Sequence, residues 1–169
     1  MSLSEMLLPE FDAEMQTTRQ VLARVPDGKS TWKPHAKSMT LGRLATLIAE
    51  LPQWIENALV RDDFDVAPPG GPGPRFAVLE STAQILELFD RSARSARAAL
   101  ASASDAEFAK PWSFKFGGRV VSTETKLMVY RRSSLNHLVH HRGQLTVYLR
   151  LNDVPVPWVY GPTADEPAF

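Results

Sequence analysis

The sequence predicts an all-α protein: a four-helix bundle with a long crossover connection, a small β-hairpin before the last helix and an extended C-terminal tail. Three observations predict it. Four segments repeat apolar residues every three or four positions, the period of a helix with one buried face. The chain has 169 residues, 44% hydrophobic and 22% charged, which suits one soluble domain, 1–169, with a single sizeable core. Four amphipathic helices also bury their stripes most simply against one another.

The first helix is expected over 9–25, where Phe11, Met15, Thr18, Val21 or Leu22, and Val25 share one face. Pro9 is tolerated in a first turn, so 3–8 reads as a separate preceding turn, and Pro26-Asp27-Gly28 ends the helix. The second is expected over 41–60 behind a Thr40 or Ser38 cap. Its stripe is Leu44, Leu47, Ile48, Leu51, Trp54, Ile55 and Ala58, with a kink at Pro52. The third is expected over 82–102. Ser81 and Gln84 have the spacing of a capping box, and Ile85, Phe89, Ser92, Ala96, Ala99 and Ala103 form the buried face. The fourth is expected over 123–152 behind Ser122, with Leu127, Tyr130, Ser134, His137, His141, Leu145 and Tyr148 turned inward.

The connections carry their own signals. APPGGPGP at 67–74 can hold neither a helix nor a ladder and reads as a mobile loop. Trp112, Phe114 and Phe116 alternate before Gly117-Gly118 and Val120-Val121, which predicts the hairpin. Gly143 breaks helix preference inside the last helix, which predicts the close approach of a neighbouring helix.

Composition excludes several functions. Nineteen basic and nineteen acidic side chains balance, so no bulk field draws the chain to nucleic acid or to an anionic membrane. The absence of cysteine removes disulfides, thiolate metal sites and a cysteine nucleophile. No apolar run approaches the roughly 20 residues needed to span a bilayer. The opening stretch, MSLSEMLLPEFDAEM, is acidic rather than basic, so a cytoplasmic location is expected. There is no phosphate-binding glycine loop, nucleophile elbow or zinc-protease motif.

Three of the four histidines lie together in Asn136-His-Leu-Val-His-His-Arg-Gly-Gln-Leu145. A four-residue step stacks His137 and His141 on one helix face, whereas His140 sits about 60° around it. Two imidazoles at that spacing can chelate a borderline divalent metal, given a third ligand from another helix. Without one, they read as core histidines bonded to hydroxyls, carbonyls or water. Glu14, near the inner face of the first helix, and Glu50, one turn beyond Leu47, are the carboxylates to weigh. Each is either a replacement ligand or an ordinary cap or surface acid, and Glu14 can also pair with the two histidines directly. His35, in Lys33-Pro-His-Ala-Lys-Ser38, reads as an anion-binding lip or a plain loop residue. Arg131, Arg132 and Arg142 read as a surface or dimer edge, and Trp158 with Tyr160 as anchors for the tail.

Blocks along nearly the whole chain carry a family likeness. They include Glu10-Phe-Asp-Ala-Glu-Met15, Leu22-Ala-Arg-Val-Pro26, Trp32-Lys-Pro-His35, Ser38-Met-Thr-Leu-Gly-Arg-Leu-Ala45, the histidine segment and Tyr160-Gly-Pro-Thr-Ala-Asp-Glu166. The chain resembles the DinB-like (damage-inducible) family, metal-binding bundles that include bacterial thiol-dependent transferases. The resemblance implies a bundle with a crossover, a homodimer, and a nickel or zinc ion on three histidines. Two of these ligands map onto His137 and His141. The family pattern Leu-Ala-x-His at the third position reads Leu44-Ala-Thr-Leu47 here, so an isobutyl group replaces an imidazole. The expectation is therefore a degenerate metal site holding a divalent ion weakly or not at all, in a scaffold for a small molecule or an interaction. The alternative is a divalent-metal-dependent thiol S-transferase using His137 and His141. The family's name implies no DNA chemistry.

Overall fold

The computed structural model describes residues 1–71, 73 and 76–167. Its elements are α1 (Leu3–Leu22), α2 (Leu41–Glu50), α3 (Pro52–Val60), β1 (Asp63–Asp65), α4 (Thr82–Ser102), α5 (Asp105–Ala109), β2 (Pro111–Phe116), β3 (Arg119–Thr125), α6 (Lys126–Met128), a π-helical segment (Val129–Leu135) and α7 (Asn136–Arg150). The protein is mostly helical with one three-stranded sheet, ordered β1-β2-β3. One core is shared by Phe11 and Met15 of α1, Leu44 and Ile48 of α2, Ile85 and Phe89 of α4, and Leu138 and Leu145 of α7.

The helix starting at Leu3 is longer than the sequence suggests. Ser2 and Glu5 form a capping box, and two tertiary bonds hold the first turns: Leu3 N–H donates to Asp105 Oδ1 (2.8 Å) and Ser4 Oγ to the Ala103 carbonyl (2.6 Å). These contacts carry the helix through Pro9, which lies in its interior. The kink expected at Pro52 is instead a boundary between two helices. Pro52 occupies the first position of α3, and Leu51 keeps helical angles, so the two run on with little interruption. α4 and its Ser81–Gln84 box lie where the spacing puts them.

The sheet corrects the sequence reading most. β3 continues to Thr125, so the last helix starts at Lys126, with Thr125 rather than Ser122 as its cap. Gly117 (φ +61°) and Gly118 (φ +78°) make the hairpin turn, and both amides donate to the Asp65 carboxylate (3.1 and 2.7 Å). β1, which no alternation announced, lies parallel to β2, with Phe64 beside Phe114. Of the proline-glycine stretch at 67–74, Pro72 and Pro74 fall outside the described residues.

Two buried ion pairs tie distant segments together. Lys126, 1% exposed, places Nζ 2.5 Å from Glu107 and 3.0 Å from Asp62, which joins the last helix to α5 and the end of α3. Arg142, also 1% exposed, is no surface residue. Its Nη1 donates to the Glu14 carbonyl (3.2 Å) and Thr18 Oγ1 (3.1 Å) and lies 2.6 Å from Glu14 Oε2. Those two bonds use the Nη1 hydrogens, so the contact with Oε2 is a close charge pair rather than an aligned hydrogen bond. Arg142 Nη2 donates to the Tyr160 hydroxyl (2.6 Å), which donates to Glu14 Oε1 (2.9 Å). The tail is thereby clasped to α1 and α7. Asp165 fastens it further by pairing with Arg150 and accepting from the Val156 amide (2.8 Å).

Gly143 does not meet the expected neighbour: a Cβ there would touch nothing within 4 Å. Nothing in the structure explains this glycine. Gly42 shows the contrast, since its Cβ would lie 2.9 Å from Ser30 Cβ and 3.0 Å from the Leu79 carbonyl oxygen.

Three outcomes follow from this packing. Gly143→Ala raises stability by about 0.5–1 kcal/mol, because alanine loses less backbone entropy in a helix; urea unfolding checks it. Glu14→Ala leaves the Arg142 charge uncompensated in the interior and lowers stability by about 3–5 kcal/mol, whereas Arg131→Ala, at the exposed pair with Glu10, stays within about 1 kcal/mol. The bond from Arg150, and then that from the Val156 amide, hold the Asp165 carboxyl below its ordinary value. Because the folded-state pKa is depressed, the contribution of Asp165 is complete above about pH 4 and is lost as the pH falls further. Hydrogen exchange in the tail should rise there, and Asp165→Asn should abolish that pH step.

Candidate functional site

The π-helical segment sets the geometry of the site. Its wider turn shifts the phase of the last helix, so Tyr130 and Ser134 face the core before it ends, and Leu138, His141 and Leu145 do so after it. Leu138 thus takes the inward place that the heptad-like spacing assigns to His137. His141 is 8% exposed, whereas His137 is exposed and borders a cavity. The expectation that both rings point into the core holds for His141 only.

The two rings nevertheless meet. His137 Nε2 and His141 Nε2 are 2.9 Å apart, and the ring centroids are separated by 4.6 Å. Gln144 orients the buried ring: its Oε1 lies 2.7 Å from His141 Nδ1, and its Nε2 lies 3.0 Å from His140 Nε2. With that amide orientation, His141 Nδ1 carries the hydrogen and the Nε2 of neutral His141 presents a lone pair. His137 Nδ1 lies 3.3 Å from the Ser133 carbonyl, an acceptor. If His137 also donates there, two lone pairs converge at 2.9 Å and require a proton or a cation between them. If the Gln144 amide is reversed, all three rings are satisfied in the neutral state. Burial, and secondarily the charges of the neighbouring histidines and Arg43, holds His141 below the ordinary imidazole range, while the bond to Gln144 opposes this.

The remaining predicted candidates lie elsewhere. Glu14 is engaged by Arg142 and Tyr160. Glu50 pairs with Arg43 at 3.3 Å. His35 is exposed and accepts from the Lys37 amide within its own turn (3.1 Å). Among the described residues, no group of three or more His, Cys, Asp or Glu side chains could hold a metal ion. Two imidazole nitrogens from one helix do not make up a closed three-ligand centre.

The cavity beside His137 has a volume of about 690 Å³. One wall is apolar, formed by Leu47, Leu51, Trp54, Trp112, Phe114 and Val129. The other is polar and lies on one ridge of the last helix: Arg132, Ser133, Asn136, His137 and His140. Trp54 packs edge-on to Phe64 with centroids 5.0 Å apart, and tilts against Phe114 at 6.3 Å. The sheet supplies its wall through cross-strand pairs, Trp112 beside Glu124 and Phe114 beside Ser122. A pocket beside His137 is expected from the sequence, but its aromatic wall of Trp54, Trp112 and Phe114 is not, nor is Gln144 as the group that orients His141. The signal for Gln144 was its spacing, three residues after His141 and four after His140.

The DinB family profile matches residues 1–168, and the chain belongs to the DinB family. Its structure is similar to the crystal structure of a DinB-like protein from Bacillus cereus ATCC 10987, with a TM-score of 0.71 and 23% identity over 92% of this chain and 97% of that one. It is also similar to a DinB-like protein from Bacillus subtilis, with a TM-score of 0.68 and 14% identity over 97% of this chain and 99% of that one. A search of the curated proteins found no match. At these identities the likeness concerns the fold, and fold alone assigns no reaction. Among the described residues, no helix is long and apolar enough to cross a membrane.

The geometry gives one direct expectation. In metal-stripped protein, ¹⁵N–¹H spectra should show His141 titrating below the ordinary value of about 6.5. Gln144→Ala should lower it further, since the Oε1 contact favours the charged ring.

Proposed function

We propose that this DinB family member is a small-molecule-binding scaffold with a degenerate metal site, built as a four-helix bundle with a crossover connection. The packing of α1 and α2 against both α4 and α7 supports the bundle. The observation that carries the functional reading is the 690 Å³ cavity walled by Trp54, Trp112 and Phe114, with Leu47 where the family resemblance expects a histidine. That volume lies within the range of sites for drug-sized ligands, and an apolar wall facing a short polar ridge is their usual make-up. Leu47 adds apolar surface to the cavity instead of a lone pair. Homodimerisation, which the resemblance implies, is part of the same proposal; sedimentation velocity checks it.

The second reading is a divalent-metal-dependent thiol S-transferase using His137 and His141. The 2.9 Å approach of the two Nε2 atoms supports a shared nickel or zinc ion, and the donor set limits it to two-point chelation from one helix.

Two measurements separate these readings. Tag-free protein should contain far less than one metal per chain, and Leu47→His should raise nickel or zinc affinity at least about tenfold, as a third imidazole ligand does in structural sites. Stoichiometric metal that is lost in His137→Ala would establish the second reading instead. Saturation-transfer NMR with a panel of bicyclic aromatic fragments should show binding that Ser133→Trp, which fills the cavity, abolishes. Equal binding by wild type and Ser133→Trp would refute the scaffold reading.

A further inference from the structure

Arg132 and Glu124 are the only two side chains with a fixed formal charge among the described residues that wall the cavity. They face each other across its rim. Arg132 Nη1 donates to Glu124 Oε1 at 2.7 Å. Glu124 stands beside Trp112 in the sheet register, so its carboxylate borders the aromatic wall; Arg132 is on the polar ridge, one position before Ser133. Each charge offsets the other through this one bond, which leaves the Arg132 side chain 70% exposed and that of Glu124 28% exposed. Behind them the wall offers ring faces and aliphatic groups on one side, and a hydroxyl, an amide and two imidazoles on the other.

From this we infer that the cavity selects uncharged, planar aromatic molecules with a polar edge, and that the Arg132–Glu124 pair is the device that rejects both anionic and cationic versions of the same ring. The inference rests on the reading of the cavity as a binding site. The planar ring lies against Trp54 and Phe114, where dispersion and apolar burial act without charge. Its polar edge faces Ser133 and Asn136. An ionic substituent loses its hydration on entry, and the opposite charge it meets at the rim is already partly offset by the other member of the pair. A carboxylate recruiting Arg132 competes with Glu124 for the guanidinium, and an ammonium recruiting Glu124 competes with Arg132 for the carboxylate. Breaking one half of the pair therefore frees the other half for one sign of ligand only.

The test uses three probes that share a ring, at about pH 8, where the carboxylate is an anion and the amine a cation: 2-naphthylmethanol, 2-naphthoate and 2-naphthylmethylamine, measured by titration calorimetry. Wild type should bind the alcohol at least about tenfold more tightly than either ion, from the desolvation of the charge. Glu124→Gln should improve 2-naphthoate by up to about fivefold and leave the amine no better, while Arg132→Gln should do the reverse, as befits one exposed ion pair. Circular dichroism confirms that each variant is folded. An ion bound as tightly as the alcohol by wild type overturns the inference and leaves the cavity reading standing. Variants that shift both ions alike, or neither, also overturn it. If none of the three probes binds, the cavity reading falls and the inference with it.

Discussion

The arrangement depends on a guanidinium in the interior. Arg142 cannot shed its charge, and its environment excludes water, so the fold must bring it a carboxylate and acceptors. Glu14, Thr18 and Tyr160 supply them from α1 and the tail. Such a pair contributes modestly to net stability, because desolvation offsets much of the attraction. It does penalise any packing in which α7 rotates or slides against α1, since the charge would then be stranded. The position and phase of α7 along α1 are fixed in this way, and every side chain of the histidine segment inherits them.

On that fixed helix, the π-helical turn distributes the histidines between two environments. His141 lies in the interior, oriented by Gln144, whereas His137 borders the cavity and touches His141 through a single short contact. The segment that makes the wider turn also contributes Val129, Arg132 and Ser133 to the cavity wall. The same local irregularity that spoils the expected stripe therefore builds the polar side of the pocket, in keeping with the tendency of such turns to occur at functional sites.

Much of the fold was legible in the sequence where one signal is local and strong. The Ser81–Gln84 box marks α4, and Gly117-Gly118 between alternating aromatics marks the hairpin. The first helix was shortened at Pro9 because a proline rule weighs only local geometry, whereas Asp105 and Ala103, a hundred residues away, hold its first turns. β1 is three residues long and owes its strand to pairing with β2, so no periodicity could reveal it. Helical spacing placed His137 and His141 one turn apart correctly. It could not foresee a π-helical turn, and so turned His137 inward. From the sequence Arg142 reads as a surface or dimer contact, because composition gives no hint of a partner on another helix. The cavity, assembled from α2, α3, two strands and the last helix, has no signature in any one of them.

That dispersed construction has a thermodynamic consequence. Trp54 and Trp112 come from separate segments, brought together by the parallel pairing of β1 with β2, the packing of Trp54 on Phe64 and Phe114, and the seating of the last helix beside them. The recess is walled by residues of several elements, so an occupant that filled it would recognise the tertiary structure rather than one segment. By mass action, such an occupant shifts the folding equilibrium toward the native form in proportion to its concentration over its dissociation constant. Were the recess to bind a ligand as proposed, melting temperature would report on ligand supply, and cellular abundance of the polypeptide would follow it.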